Sequence, residues 1–135
     1  MNQHAKDEQI LRFGNLIFGE VGTKDKETKR MVGSTVMNRV NDKKHRYGKG
    51  IEGVMDKKSA YFARRGNEYK KAATLKLNKE EEKNYDDSLD MAQNLYEGKT
   101  KPVKGTHFLR SKEGSAYKGK MNFIKKVGPY DVFDE

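Results

Sequence analysis

The chain contains no cysteine, which excludes disulfides, thiolate metal sites and cysteine nucleophiles at once. Proline is nearly as scarce, with two in 135 residues, so the composition is not that of a proline-rich linker or tail. No apolar run approaches the roughly 18 residues of a membrane-spanning helix. Residues 1–9 also lack the apolar stretch of a secretory signal, and the expectation is a soluble protein made in the cytoplasm without a signal peptide. Core-forming residues are few: Leu, Ile, Val and Phe total 25 of 135, beside a net charge of +9. That share lies near the level at which disorder becomes a serious reading. Thirteen Tyr and Phe spread along the chain, and apolar residues at helical spacing, argue instead for a folded chain with a lean core. A length of 135 residues predicts one domain over 1–135, burying roughly two-thirds of its unfolded surface.

The charge is unevenly placed. Residues 43–76 and 99–126 each sum to +8, the segment 77–98 between them to −5, and the two ends to +1 and −3. Two basic stretches flank one acidic helix. Such stretches attract polyanions, whether nucleic acid or the anionic polymers of a bacterial envelope; ordinary lysine-rich solubility produces the same pattern.

Ile10, Phe13 and Ile17 recur at steps of three and four between Asp7 and Glu20, which predicts a first helix. Thr23 to Asp25 offers cap candidates for a second, carrying Met31, Val32, Val36 and Val40 and closing near Asn41. Lys43 to Gly50 reads as a loop, and Ile51, Val54 and Met55 as a short helical turn. An aromatic patch follows at Ser59–Phe62. Asn78 and Glu81 have the spacing of a capping box, ahead of a stripe of Tyr85, Leu89, Ala92 and Tyr96 that Gly98 can stop. Beyond Pro102 the pattern shortens to Thr106–Leu109, Asn122–Ile124 and a run from Val127 to Phe133 broken by Gly128-Pro129, which favours strands. The predicted class is α+β, mainly helical with a small C-terminal β element.

Among candidate chemical groups, Glu20 continues the stripe of Ile10, Phe13 and Ile17 and so falls on the packed side of the first helix. Desolvation disfavours a carboxylate, and raising a glutamate by two units from about 4.3 costs roughly 2.7 kcal/mol, a cost typical of sites that need a neutral acid. Periodicity alone leaves a second reading open, in which Glu20 turns to water or pairs with a lysine or arginine. Asn38 shares a face with Met31 and Thr35 and needs a partner: a sugar hydroxyl or acetamido group, Glu20, or loop backbone. Arg39 is expected to be solvated or salt-bridged. Gly33, Ser34 and Thr35 would let the second helix approach the first closely. His4, His45 and His107 form no i, i+4 pair, so no metal site is expected. The serines lack a nucleophile-elbow context and the glycines match no nucleotide-binding loop, so no cofactor is expected. Tyr61, Phe62, His107, Phe108, Tyr117 and Tyr130 could line a groove by stacking on sugar rings or bases, with about half of them core.

Leu16–Glu20 with its closing Gly-Glu, Val32–Val40 with its closing Asn-Arg-Val, Ile51–Val54 and Ser59–Phe62 resemble, in that order, the motifs of the SleB-type cell wall hydrolases, which include spore cortex-lytic enzymes and phage lysins. Gly105–Leu109 resembles that family's Gly-Ala-Leu-Tyr-Phe strand. The resemblance implies a lysozyme-like α+β fold cleaving peptidoglycan glycan between N-acetylmuramic acid and N-acetylglucosamine, with Glu20 as catalytic acid. Asn38, Tyr61, Phe62, His107, Phe108 and Tyr130 would then bind the substrate. Two departures stand out: Val21 replaces the family's usual Ala, and Asp131 falls where a C-terminal motif carries His. A second acid, Asp131 or Asp56, would permit hydrolysis through an activated water or a covalent intermediate. Without one, the resemblance points to a lytic transglycosylase. Such a chain would act at the bacterial wall as a phage-type lysin or a virion-associated enzyme, drawn to peptidoglycan and anionic polymers by its basic segments. The competing reading is a non-enzymatic nucleic-acid binder, in which those segments and their aromatics hold phosphates and bases.

Overall fold

A computed structural model describes residues 3–21, 25–56, 76–110, 120–128 and 130–134. Among them are four helices, α1 (Gln3–Val21), α2 (Lys26–Val40), α3 (Gly50–Asp56) and α4 (Lys79–Tyr96), followed by strands β1 (His107–Arg110), β2 (Asn122–Val127) and β3 (Tyr130–Asp134). The class is α+β and mainly helical, as the periodicities predict.

Local signals account for most of the boundaries. Asp25 caps α2 by accepting from the Thr28 N–H, and Asn41 closes it. At α4 the Asn78 side chain accepts from the Glu81 N–H while the Glu81 carboxylate reaches back to the Asn78 N–H, completing the capping box, an arrangement that satisfies two otherwise orphaned donors. Gly98 follows the end of α4 with φ +78°, and Gly128 turns between β2 and β3 with φ +55°; both lie in the left-handed region that glycine adopts without steric cost.

Two elements extend past their apolar patterns. α1 begins at Gln3 rather than Asp7. Its polar first turns are held by Gln3 Nε2 donating to Asp7 Oδ1 at 2.7 Å, by Tyr96 Oη donating to Gln9 Oε1 at 2.8 Å, and by Lys6 donating to Glu97 at 3.1 Å. β2 runs to Val127 instead of ending at Ile124, because β3 supplies its ladder as far as the Val127–Tyr130 pair.

α1 lies between α4, α2 and α3. Every residue from Phe13 to Phe18 is therefore buried, a wider arc than the predicted stripe. α4 likewise packs on both α1 and α2, so Ser88, Met91 and Leu95 are buried beside Tyr85 and Ala92, while Leu89 and Tyr96 are only half-buried. The close approaches use glycine. A Cβ at Gly14 would lie 2.4 Å from Leu89 Cδ2, and one at Gly33 would lie 2.5 Å from Leu95 Cδ1 and 3.1 Å from Ile17 Cδ1. Tyr85 donates to Asn15 Oδ1 and its ring meets Phe18 edge-on at 5.5 Å.

The strands form one antiparallel sheet in the order β1-β3-β2, with Phe133 opposite His107 on one side and opposite Phe123 on the other. The sheet reaches the helices through Met31 of α2, which packs with Val127 and Val132. Lys125 Nζ adds a 2.6 Å ion pair to Glu27 at the start of α2.

The Lys6–Glu97 contact yields a pH prediction. Hydrogen bonding from Lys6, reinforced by the charges of Lys6 and Lys99, holds the Glu97 carboxyl below the ordinary glutamate value of 4.5. The folded value is the lower one, so the stabilisation is present above the unfolded value and lost as pH falls through the folded value. Glu97→Gln should therefore melt below the wild type at neutral pH, with the gap closing on acidification below pH 4.5. A gap that persists unchanged into acid, followed by circular dichroism, would assign the contact no electrostatic role.

Candidate active site

The C-terminal turn of α1 sets the position of Glu20. Leu16 and Ile17, one turn earlier on the same side, are 1% and 0% exposed, and Phe13 is fully buried. Ile17 and Phe13 face Gly33 of α2. Arg12, eight residues before Glu20, points instead to α3, where it pairs with Glu52 at 3.3 Å and with Asp56 at 2.5 Å. At 100° per residue Glu20 projects between these two directions, on the side of α1 turned to α2 and α3. It is half-buried.

α3 packs against both α1 and α2. Ile51, Val54 and Met55 bury against the helical core, and the Arg12 pairs tie its polar side to α1. Asp56, a candidate second acid, is thereby engaged by a guanidinium at an exposed helix end. Tyr61, Phe62 and Tyr117 lie outside the described residues.

α2 grips the backbone that leads into β1. Asn38 Nδ2 donates to Val103 O at 2.8 Å and to Gly105 O at 2.7 Å, Arg39 Nε donates to Thr106 O at 2.7 Å, and Ser34 Oγ accepts from the Val103 N–H at 3.0 Å. Arg30 adds two bonds to Lys101 O. The donors of the Asn38 amide are thus directed at backbone carbonyls, and the backbone that takes them is 101–106, not the loop directly after α2. Of the two roles expected of Arg39, solvated or salt-bridged, the first does not hold: it is 8% exposed and its guanidinium lies 4.7 Å above the Tyr47 ring. A cation held on an aromatic face away from water gains on the order of 2 kcal/mol.

This clamp places the predicted aromatics. His107 opens β1, half-buried, with Nδ1 3.0 Å from Thr106 Oγ1 and its ring edge-on to Tyr47 at 6.0 Å. Phe108 and Tyr130 stack on each other at 4.5 Å; Phe108 also packs against the helical core, and Tyr130 is buried, so this pair serves the sheet's packing. Asp131 is 6% exposed on the central strand, on the opposite face of β3 from Tyr130 and Val132.

The model of the cell wall hydrolase family matches residues 23–130, which takes in α2, α3, α4 and the sheet up to the start of β3. The chain belongs to the cell wall hydrolase family. As a member of that family it is an enzyme that acts on the cell wall, which favours the enzymatic reading of the sequence over the nucleic-acid binder. No curated protein and no solved structure matches the chain. Glu20 lies three residues ahead of the matched span. Among the described residues no helix is long and apolar enough to cross a membrane, and no group of three His, Cys, Asp or Glu is placed to hold a metal ion.

Sequence reasoning passed over Arg12 and Arg30 and gave Ser34 only a packing role. Their partners lie 40, 71 and 69 positions away, beyond the reach of any local pattern. Arg39 and Ser34 were visible as polar residues inside an apolar helix, a signal that a partner exists without saying which.

Proposed function

We propose that this hydrolase cleaves peptidoglycan glycan strands between N-acetylmuramic acid and N-acetylglucosamine as a lytic transglycosylase, with Glu20 acting first as acid and then as base. The observation that carries this reading is the half-buried Glu20 at the end of α1, one turn after buried Leu16 and Ile17 and on the side of the helix turned to α2 and α3.

A glycosidic oxygen leaves only once protonated, so the reaction needs one neutral acid against it. Glu20 donates its proton to the bridging oxygen, and the bond from that oxygen to muramic C1 breaks, leaving an oxocarbenium-like centre. The resulting carboxylate then takes the proton of the muramic 6-hydroxyl as O6 closes on C1, giving a 1,6-anhydro end and restoring the acid. No water enters. The placement of the two other carboxylates favours this route over hydrolysis: Asp56 is held by Arg12, and Asp131 lies on the far face of β3 from the residues that pack toward α2. His107 and the segment carrying Tyr61 and Phe62 would contribute the sugar-binding surface, and the basic stretches would bring the enzyme onto an anionic wall. A phage lysin or a virion-associated enzyme fits this role.

Digestion of purified peptidoglycan, followed by mass spectrometry of the released muropeptides, tests the route. Anhydro ends, each one water lighter than a reducing end, are expected throughout; products with intact reducing ends would establish hydrolysis instead.

A further inference from the structure

α2 has a second flank, turned toward α4. There the two helices leave a cleft of about 400 Å³, within the size range of small-molecule sites. Its lining carries both signs of charge. Lys29 is 2% exposed, with Nζ 3.3 Å from Asn84 Oδ1, and lysine is almost never buried so completely unless paired. Burial pushes its ammonium below the ordinary lysine value, against the opposing pull of Asp87 and Asp25. Asp25 is occupied in capping α2 through Thr28. Asp87 and Asp90 are exposed and three residues apart on α4, hence on one face of it. Met91, 4% exposed, supplies an apolar wall. The cleft therefore combines a buried cation, the exposed ammonium of Lys26, two exposed carboxylates and an apolar surface between polar groups.

We propose that this cleft binds the zwitterionic end of a peptidoglycan stem peptide, a diamino acid whose carboxylate turns to Lys29 and whose ammonium turns to Asp87 and Asp90. The inference rests on the reading that the chain acts on peptidoglycan. Mixed charge selects the ligand class: a polyanion would be repelled by the aspartates and a simple cation by Lys29, whereas a group bearing both charges meets both, and its methylenes can lie on Met91.

The test is a ¹⁵N and methyl NMR titration of the full chain, whose proposed activity leaves these glycan-free probes intact. Four probes are compared: a tripeptide stem ending in the zwitterionic diamino acid, its N-acetylated form, its carboxyl-amidated form, and the free diamino acid. The native stem should shift the Asn84 side-chain amide and the Met91 methyl. Acetylation should weaken binding about five-fold, the scale of one lost exposed ion pair, and amidation, which removes the charge facing buried Lys29, by more. Asp87→Asn with Asp90→Asn should weaken the native stem and leave the acetylated one unchanged. Because both aspartates are exposed, this variant tests the site even if Lys29→Met fails to fold. Equal affinity for all three stems, indifference to the double variant, or shifts confined to other surfaces would overturn the proposal, and tighter binding of the free diamino acid than of the stem would overturn its assignment to the stem. Loss of binding with glycan cleavage intact in the unsubstituted protein would remove this inference alone. Retained lysis by Glu20→Gln would instead remove the catalytic role of Glu20 and leave the cleft's binding to be read by the same titration.

Discussion

Glu20→Gln is expected to lower the rate of wall lysis by about 10²–10⁴-fold, the range over which a positioned general acid–base group accelerates reaction, with a melting temperature close to that of the wild type. Glutamine keeps the shape and a hydrogen-bonding head but has no proton to give to the glycosidic oxygen and no carboxylate to receive one. The position is half-buried rather than enclosed, so the neutral side chain should fold without a new desolvation cost. Glu20→Asp withdraws the acid by one methylene and should leave intermediate activity. Zymography beside thermal melting separates chemistry from folding. Undiminished lysis in the glutamine variant would remove Glu20 from the mechanism.

Asn38→Asp should destabilise the chain strongly. The substitution replaces the Nδ2 that donates to Val103 O and Gly105 O with an oxygen that cannot donate. Two carbonyls then face a third acceptor. Each orphaned carbonyl costs about 1–3 kcal/mol, less where water can reach the half-buried site, and the sum predicts a loss of about 2–4 kcal/mol. For a chain of this size that corresponds to a fall in melting temperature on the order of 10 °C. Asn38→Ala should cost less, because it removes the donor without adding repulsion. If Asn38 served the sugar instead of the backbone, the signature would be reversed: KM would rise while the melting temperature stayed put.

These two residues belong to the same pair of motifs, and the sequence treats them alike. Each is a polar residue on an apolar helix face, and each therefore needs an explanation. The explanations diverge in the fold. Glu20 lies in the last turn of α1, half-buried where the helix ends. Asn38 lies where the 101–106 segment crosses α2, and that backbone has carbonyls to satisfy. Arg39 follows the same logic. Its expected solvation gives way because Thr106 O and the Tyr47 ring offer a better environment than water for a delocalised cation with a planar face.

Helix periods, the Asn78–Glu81 capping box, the closing of α2 at Asn41 and the turn at Gly128 were all written in the sequence by itself, because each depends on contacts within about four residues along the chain. So was the order of the motifs that places the chain among the cell wall hydrolases. Tertiary structure alone decided which of the polar residues are consumed by the fold, how far burial spreads around α1 and α4, and that Lys29 is enclosed beside a cleft. Those outcomes depend on partners tens of positions distant, and a residue's own neighbourhood in sequence holds no record of which backbone will pass over it.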